Sequence, residues 1–463
     1  MRDRDGLLAL LRRIDGAPYP AYRDLVGTWD LGVVQLQFDR LQGDPFAAPS
    51  RVRLAVPTGI GIDISRNATR RRAAEDWLLR RFADGIKHAR CGSGRSGEVR
   101  VLRPGPEVLE RTALRLGSDG TAEIRLLVGM PAKGRRILGR AAWRLVAEEL
   151  PRAAATVQGC SREPALAAHV AAVEDQVALR RQLRARDLVA FVADGSVLPR
   201  ASGVCQSPLE DAVPFAAPDA LRVTLDSPSG PVTGMGIPTG VTVITGGGFH
   251  GKSTLLQALQ RGHLDHVPGD GRERVVSDPD TVKVRAEDGR RVAAVDVSAF
   301  LETLPGGQCT RPFFSNDASG STSQAAALVE SIEAGARVLL FDEDTSATNL
   351  MVRDERMASL IPPSCEPITP LVSRIRQIHD DWGVSTVLVV GGVGDYLAEA
   401  DTVVLMSNFR ATDATARAHA VAGGPVTPPG PLRAAGRRTV QLDSIRPTGR
   451  GRIRARSARC VEH

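Results

Sequence analysis

Residues 241–256 read VTVITGGGFHGKSTLL: a β-branched apolar run, three glycines, then Gly-Lys-Ser-Thr and an apolar continuation. Few short stretches constrain a fold more. Gly246, Gly251, Lys252 and Ser253 match the G-x-x-x-x-G-K-[ST] spacing without a gap. Val241 to Thr245 has the composition of a buried parallel strand, and Ser253 to Leu259 continues as a helix. Glycine lets the backbone curl so that successive N–H groups face phosphate oxygens, beside the positive end of the following helix. Gly246, Gly247, Gly248, Phe249, His250 and Gly251 are therefore read as a phosphate cradle. Lys252 would reach the β- and γ-phosphates of a nucleoside triphosphate, the Ser253 hydroxyl would ligate Mg²⁺, and Thr254 is read with them as nucleotide-binding. The plainer alternative, a glycine-rich turn that binds nothing, would not require spacing, strand and helix to agree.

A complementary half follows in GARVLLFDEDTSATN. Val338 to Phe341 is an apolar strand, and Asp342 at its end is placed to hold Mg²⁺ through water. Glu343 follows at once, where a carboxylate can polarise a water for in-line attack on the γ-phosphate. A P-loop kinase has no need of that second acid, so the pair points to hydrolysis. Between the two halves, Ser319-Gly320-Ser321-Thr322-Ser323 precedes a strong helix former run from Gln324. Small hydroxyl residues cap a helix start and leave N–H groups for an anion. A capped helix alone is commonplace. The order of phosphate loop, serine-glycine helix start and Asp-Glu strand is the one used by ATP-binding-cassette (ABC) ATPases, in which one subunit's signature closes over ATP held by the other.

The runs GMGIPTGVTVITGGGFHGKSTLLQAL, GDGRERVV, VRAEDGR, NDASGSTSQAA, LLFDEDTSATNLMVRDERM and VSTVLVVGGVGDYLAEAD resemble the predicted ABC-class ATPase family, as do QGDPFAAPSRVR and LVAFVADGSVLPRASG. The likeness spans nearly the whole chain. It implies an α/β fold, a P-loop NTPase of ABC ATPase type with a basic α+β N-terminal domain, and an ATP-dependent homodimer. It assigns Lys252 and Ser253 to phosphate and metal, Ser319, Gly320, Ser321 and Thr322 to the signature, Asp342 to the metal and Glu343 to the catalytic base. DTSATN then stands at the dimer seam. Transporters place a histidine after the last core strand, but this sequence has Gly391 and Gly392 there, so either another group such as Asp395 does that work or turnover is slow. The end at His463 stands early for the family, and a further C-terminal portion is expected.

With 463 residues, 42% of them hydrophobic, the chain has material for several cored domains. The divisions read are a basic α+β domain over 1–104, a second α/β segment over 105–222, the ATPase core over 223–420, and a Gly/Pro-rich linker with a basic tail over 421–463. No apolar run approaches a membrane span, and MRDRDGLLALLRRIDG lacks a signal-peptide layout. Cys91, Cys160, Cys205, Cys309, Cys365 and Cys460 are scattered without a CxxC pair, which suits free thiols in the cytoplasm. His263 and His266, without a third ligand, are read as a loop near the nucleotide in which Asp270, Arg272 and Glu273 form charge pairs.

The net charge of +7 is unevenly placed. Residues 66–103 carry eleven basic and four acidic side chains, and residues 431–463 carry nine arginines against Asp443 and Glu462. Two basic patches on an acidic body suggest an anionic polymer, RNA or DNA. Gly43, Pro45 and Pro49 shape a loop that presents Arg51 and Arg53. Arg70, Arg71, Arg72, Arg80 and Arg81 lie on a helix whose apolar positions Ala73, Trp77, Leu78 and Phe82 face the core, so the arginines are expected outward, facing an anionic partner. A solvated helix face is the plainer reading. The functional expectation is an ATPase that hydrolyses ATP with Mg²⁺ and couples it to nucleic acid. The alternative is a nucleotide-gated scaffold with little hydrolysis, acting on a protein partner.

Overall fold

The computed structural model describes residues 2–87, 91–302, 304, 307–353, 359–361, 366–432 and 438, with the backbone of 454–457 and 460–462. Cys365 and most of the basic tail lie outside these residues. The chain divides into two compact units, one of residues 1–237, 257–279 and 409–411, the other of 238–256, 280–408 and 412–463.

In the first unit, helix α1 (Arg4–Arg13) opens the chain, capped by the Asp3 carboxylate, which accepts from the Gly6 N–H at 2.8 Å. An antiparallel sheet follows, made of β1 (Gly27–Asp30), β2 (Gln35–Arg40), β3 (Ser50–Pro57), β4 (Val99–Arg100), β5 (Leu114–Leu116) and β6 (Thr121–Val128). Its order is β1-β2-β3-β6-β4, with β5 also on β6. Alternation along these strands sends Leu36, Phe38, Val52, Leu54, Ile124 and Leu126 inward, as a one-sided sheet requires. Helix α2 (Ala68–Gly85) lays Ala73, Trp77, Leu78 and Phe82 into the same core. Arg51 and Arg53 stand on the opposite, open face of strand β3 rather than on the expected loop, because the turn ends at Pro49 and pairing with β2 begins at Arg51. Helix α3 (Pro164–Gln182) leads to a second sheet of β7 (Leu188–Ala193), β8 (Arg222–Leu225), β9 (Val232–Pro238) and β11 (Val275–Ser277), ordered β8-β9-β7-β11.

The second unit is built on β10 (Val241–Gly246), β12 (Thr281–Lys283), β15 (Val338–Asp342), β16 (Ser385–Val389), β17 (Thr402–Ser407) and β18 (Arg410–Asp413). The order is β12-β15-β16-β10-β17-β18, and the first five strands run parallel. β15 and β16 are buried along their whole length, as strands covered on both faces must be. Helix α4 (Lys252–Arg261) follows β10; the antiparallel pair β13 (Arg290–Val295) and β14 (Phe313–Ala318) precedes helix α5 (Gly320–Glu333). The register sets Ile244 and Asp342 both beside Val389, so the functional strand ends meet at one edge of the sheet. In open α/β sheets that carboxyl edge is where ligands bind.

Candidate nucleotide site

Gly246 ends β10 with φ +137°, and a Cβ there would lie 2.2 Å from the Met406 carbonyl oxygen of neighbouring β17. Only glycine fits this exit. The loop then carries Phe249 at φ +61°, fully exposed, before Gly251 at φ +96° starts α4. A phenylalanine held in the left-handed region is strained, and such strain gathers at ligand loops. His250 anchors the loop by accepting the Asn408 N–H on Nδ1 at 2.7 Å. Lys252 folds back on the cradle, its Nζ donating to the carbonyls of Gly246 at 2.7 Å and Gly247 at 2.8 Å. Ser253 and Thr254 occupy the first turn of α4, half-buried.

Asp342 ends β15 and is 5% exposed. Its Oδ2 faces the Lys283 Nζ at 3.4 Å, while its Oδ1 is buried without a hydrogen-bond partner. A buried carboxylate oxygen left open beside a phosphate loop suits a divalent cation, so Asp342 and Ser253 fit Mg²⁺. Glu343 is oriented by backbone alone: its Oε2 accepts from the N–H of Gly391 at 2.5 Å and of Gly392 at 3.1 Å. A Cβ added at Gly391 would sit 3.6 Å from Lys252 Nζ and 3.8 Å from Glu343 Oε2, so this backbone is wedged between phosphate lysine and acid. Asp395, the acid considered for the absent histidine, instead opens a short 3₁₀ turn and is exposed.

The signature starts α5. Ser319 is the N-cap, its Oγ 3.1 Å from Thr322 Oγ1 and 3.4 Å from Ser321 Oγ, and Gly320 is confined by Asp288 Oδ1, 3.0 Å from where its Cβ would stand. Sequence reasoning passed over Gln324. Fully buried, it donates from Nε2 to Ser346 Oγ at 3.0 Å and accepts the Ala347 N–H on Oε1 at 2.8 Å. The signature helix is thereby tied to the segment that follows Glu343. A polar residue at a core position of α5 was the available signal.

The arginines proposed for nucleic acid divide into two groups. Those of α2 are not an unpaired outward row. Arg70 bonds Glu174 at 2.7 Å, Arg72 bonds Asp265, and Arg80 bonds Asp76 at 2.6 Å and the Gly105 carbonyl at 2.6 Å. Arg81 bonds Glu163 and stacks over Trp77, and Arg71 lies 3.5 Å from the Ser65 carbonyl. The expectation of an anion-seeking face fails because the helix also buries Glu75 and Asp76, and because acids from later segments come to it. Arg51, by contrast, lines an open surface with Arg53, Arg100, Arg125, Leu102 and Leu127. Arg53 there is held by Asp39 and Glu123, Arg125 by Glu123 at 2.7 Å and Arg100 by Glu98, so this face too is largely paired.

His263 and His266 belong to the first unit, not to the unit that carries the phosphate loop. His266 is buried against Asp270 at 2.7 Å, Asp270 pairs with Arg200, and Arg272 donates to the Leu198 carbonyl at 2.8 Å. Burial pushes Arg272 down to about 10. Among the described residues no cluster of three or more His, Cys, Asp or Glu could hold a metal, and no helix is long and apolar enough to cross a membrane.

The family model of the ABC ATPase P-loop domain matches residues 162–429, and that of the N-terminal region of ATPases of the ABC class matches residues 4–159. The chain belongs to the ABC-class ATPases. It is 29% identical over 248 residues to "Uncharacterized protein MJ1628" of Methanocaldococcus jannaschii, a match covering 51% of this chain and 54% of that protein. The chain thus spans about half the length of that curated relative. Among solved structures it is similar to cbiO1 of Clostridium perfringens, part of an ABC transporter complex, at 17% identity, covering 49% of this chain and 87% of that one with a TM-score of 0.30. It is also similar to the ADP conformation of MJ1267, an ATP-binding cassette of an ABC transporter, at 11% identity, 41% and 88% coverage, and a TM-score of 0.26.

Proposed function

We propose that this protein binds ATP with Mg²⁺ and hydrolyses it between two facing copies. The observation that carries the reading is the Asp342-Glu343 pair at the strand edge, with Glu343 fixed by two amides beside the phosphate lysine. Lys252 exchanges its bonds to the Gly246 and Gly247 carbonyls for the β- and γ-phosphates, and the N–H groups of the loop and of α4 receive the remaining oxygens. Ser253 and Asp342 would hold Mg²⁺, which neutralises phosphate charge. Glu343 orients the attacking water and takes its proton. Ser319 and its neighbours supply a second helix start for the γ-phosphate of the partner's nucleotide, and Gln324 ties that helix to the segment after Glu343.

Energy from this cycle would act on nucleic acid, RNA or DNA, through the open sheet face around the exposed Arg51. Arginine suits phosphate because its planar fork donates two hydrogen bonds at once. Filter binding of single-stranded RNA and DNA tests this second reading. Retention at low salt, falling steeply as salt rises and weakened by Arg51→Glu, is expected. No retention of either polymer would leave a nucleotide-gated protein partner as the function. For hydrolysis, Lys252→Ala should weaken ATP binding itself in a fluorescent-nucleotide titration.

A further inference from the structure

We propose that Lys283 is a built-in counter-ion for the metal carboxylate, neutralising Asp342 in the metal-free site and denying it to divalent cations until nucleotide phosphates arrive. The proposal rests on the reading of Asp342 as the metal ligand. Lys283 ends edge strand β12, which pairs in parallel with β15, and its Nζ stands 3.4 Å from Asp342 Oδ2. The two side chains are 15% and 7% exposed. A carboxylate so enclosed needs a cation nearby, or its charge goes uncompensated. Lys252 does not supply it, because its ammonium is spent on the Gly246 and Gly247 carbonyls.

The residue type is informative. This chain uses arginine for almost every basic position and keeps lysine only at 87, 133, 252 and 283. Two of those four are in the nucleotide site. An arginine fork would engage both carboxylate oxygens at once, whereas an ammonium is a point charge that can neutralise one and leave the other open. Asp342 Oδ1 is left open in this way, buried and unpartnered. Lysine at 283 therefore compensates the charge while preserving a ligand position. It also sets a competition, because a divalent cation arriving alone meets the Lys283 ammonium at Asp342. The phosphates of ATP bring the negative charge that reverses the balance.

Electron paramagnetic resonance titration of Mn²⁺ without nucleotide tests this on the full chain, in wild type, Lys283→Met and Lys283→Arg. Lys283→Met should bind nucleotide-free Mn²⁺ more tightly by on the order of tenfold, while Lys283→Arg, whose fork would cover both carboxylate oxygens, binds it more weakly than wild type. Equal affinity in wild type and Lys283→Met would overturn the proposal. A stability arm guards against poor folding of the single variant. Lys283→Met should lower the melting temperature, and Lys283→Met combined with Asp342→Asn should recover most of that loss. No recovery would also overturn it. Binding of a fluorescent ATP analogue in EDTA by the wild type separates the two layers: binding with unchanged Mn²⁺ behaviour sinks Lys283's role alone, and no binding sinks the nucleotide site with it.

Discussion

Glu343 is steered by groups that no letter of the sequence encodes. The N–H groups of Gly391 and Gly392 hold its Oε2, and the sequence presents those glycines only as the place where a histidine is missing. A backbone donor is available to any residue except proline, so what singles out these positions is space. A Cβ at Gly392 would stand 3.3 Å from Glu343 Oε1, tighter than ordinary contact. Gly392→Ala should therefore push the carboxylate off line, lowering the rate of phosphate release about tenfold while leaving ATP affinity unchanged, since misplacing a general base acts on chemistry alone. Equal loss of binding would mean the glycine serves the phosphate loop instead. The positions of Gly246, Lys252 and Asp342 at the ends of β10 and β15 were legible beforehand because the motif couples particular residue types to a strand, loop and helix at fixed spacing. Lys283 and Gln324 were not, because each acts across strands or helices distant in sequence.

At the scale of elements, the strand, loop and helix around Gly246–Lys252 follow from local pattern, and the continuous apolar runs of β10, β15 and β16 suit parallel strands covered on both faces, while their order is set by the fold. Helix α2 shows where local pattern stops. Its apolar stripe was readable, but its arginines answer to acids from other segments and to Asp76, buried on the same helix. Asp76 gathers Arg80, Arg111 and His169 around one carboxylate. Burial alone would raise its pKa, but His169 Nε2 at 3.3 Å and the hydrogen-bonded, charged Arg80 outweigh that and hold it below the usual carboxylate range. Removing one partner of a buried charge cluster leaves the rest uncompensated. Asp76→Ala should accordingly cost about 3–5 kcal/mol in urea denaturation of the full chain. A carboxyl whose pKa is depressed on folding contributes stability above its unfolded value and loses it as pH falls through the folded one. Wild type should thus shed this contribution below about pH 4, and Asp76→Asn, already lacking it, should show a shallower decline there.

At the scale of the whole molecule, family membership and the parallel core define an ABC-class ATPase, and under the proposed function the start of α5 would meet a partner's nucleotide. A variant that binds ATP without cleaving it should accumulate the closed pair, so Glu343→Gln with ATP and Mg²⁺ should double its mass by light scattering. A monomer at every ATP concentration would leave Ser319 and Gly320 without a ligand. Charge clustering in the sequence pointed to an anionic partner, but composition counts charges, and only the fold says which arginines already face carboxylates. The most direct measurement is phosphate release from ATP by wild type and Glu343→Gln at matched nucleotide occupancy. Turnover should be lower by about a hundredfold or more in the variant with ATP binding retained, and equal turnover in the two proteins would rule out Glu343 as the base.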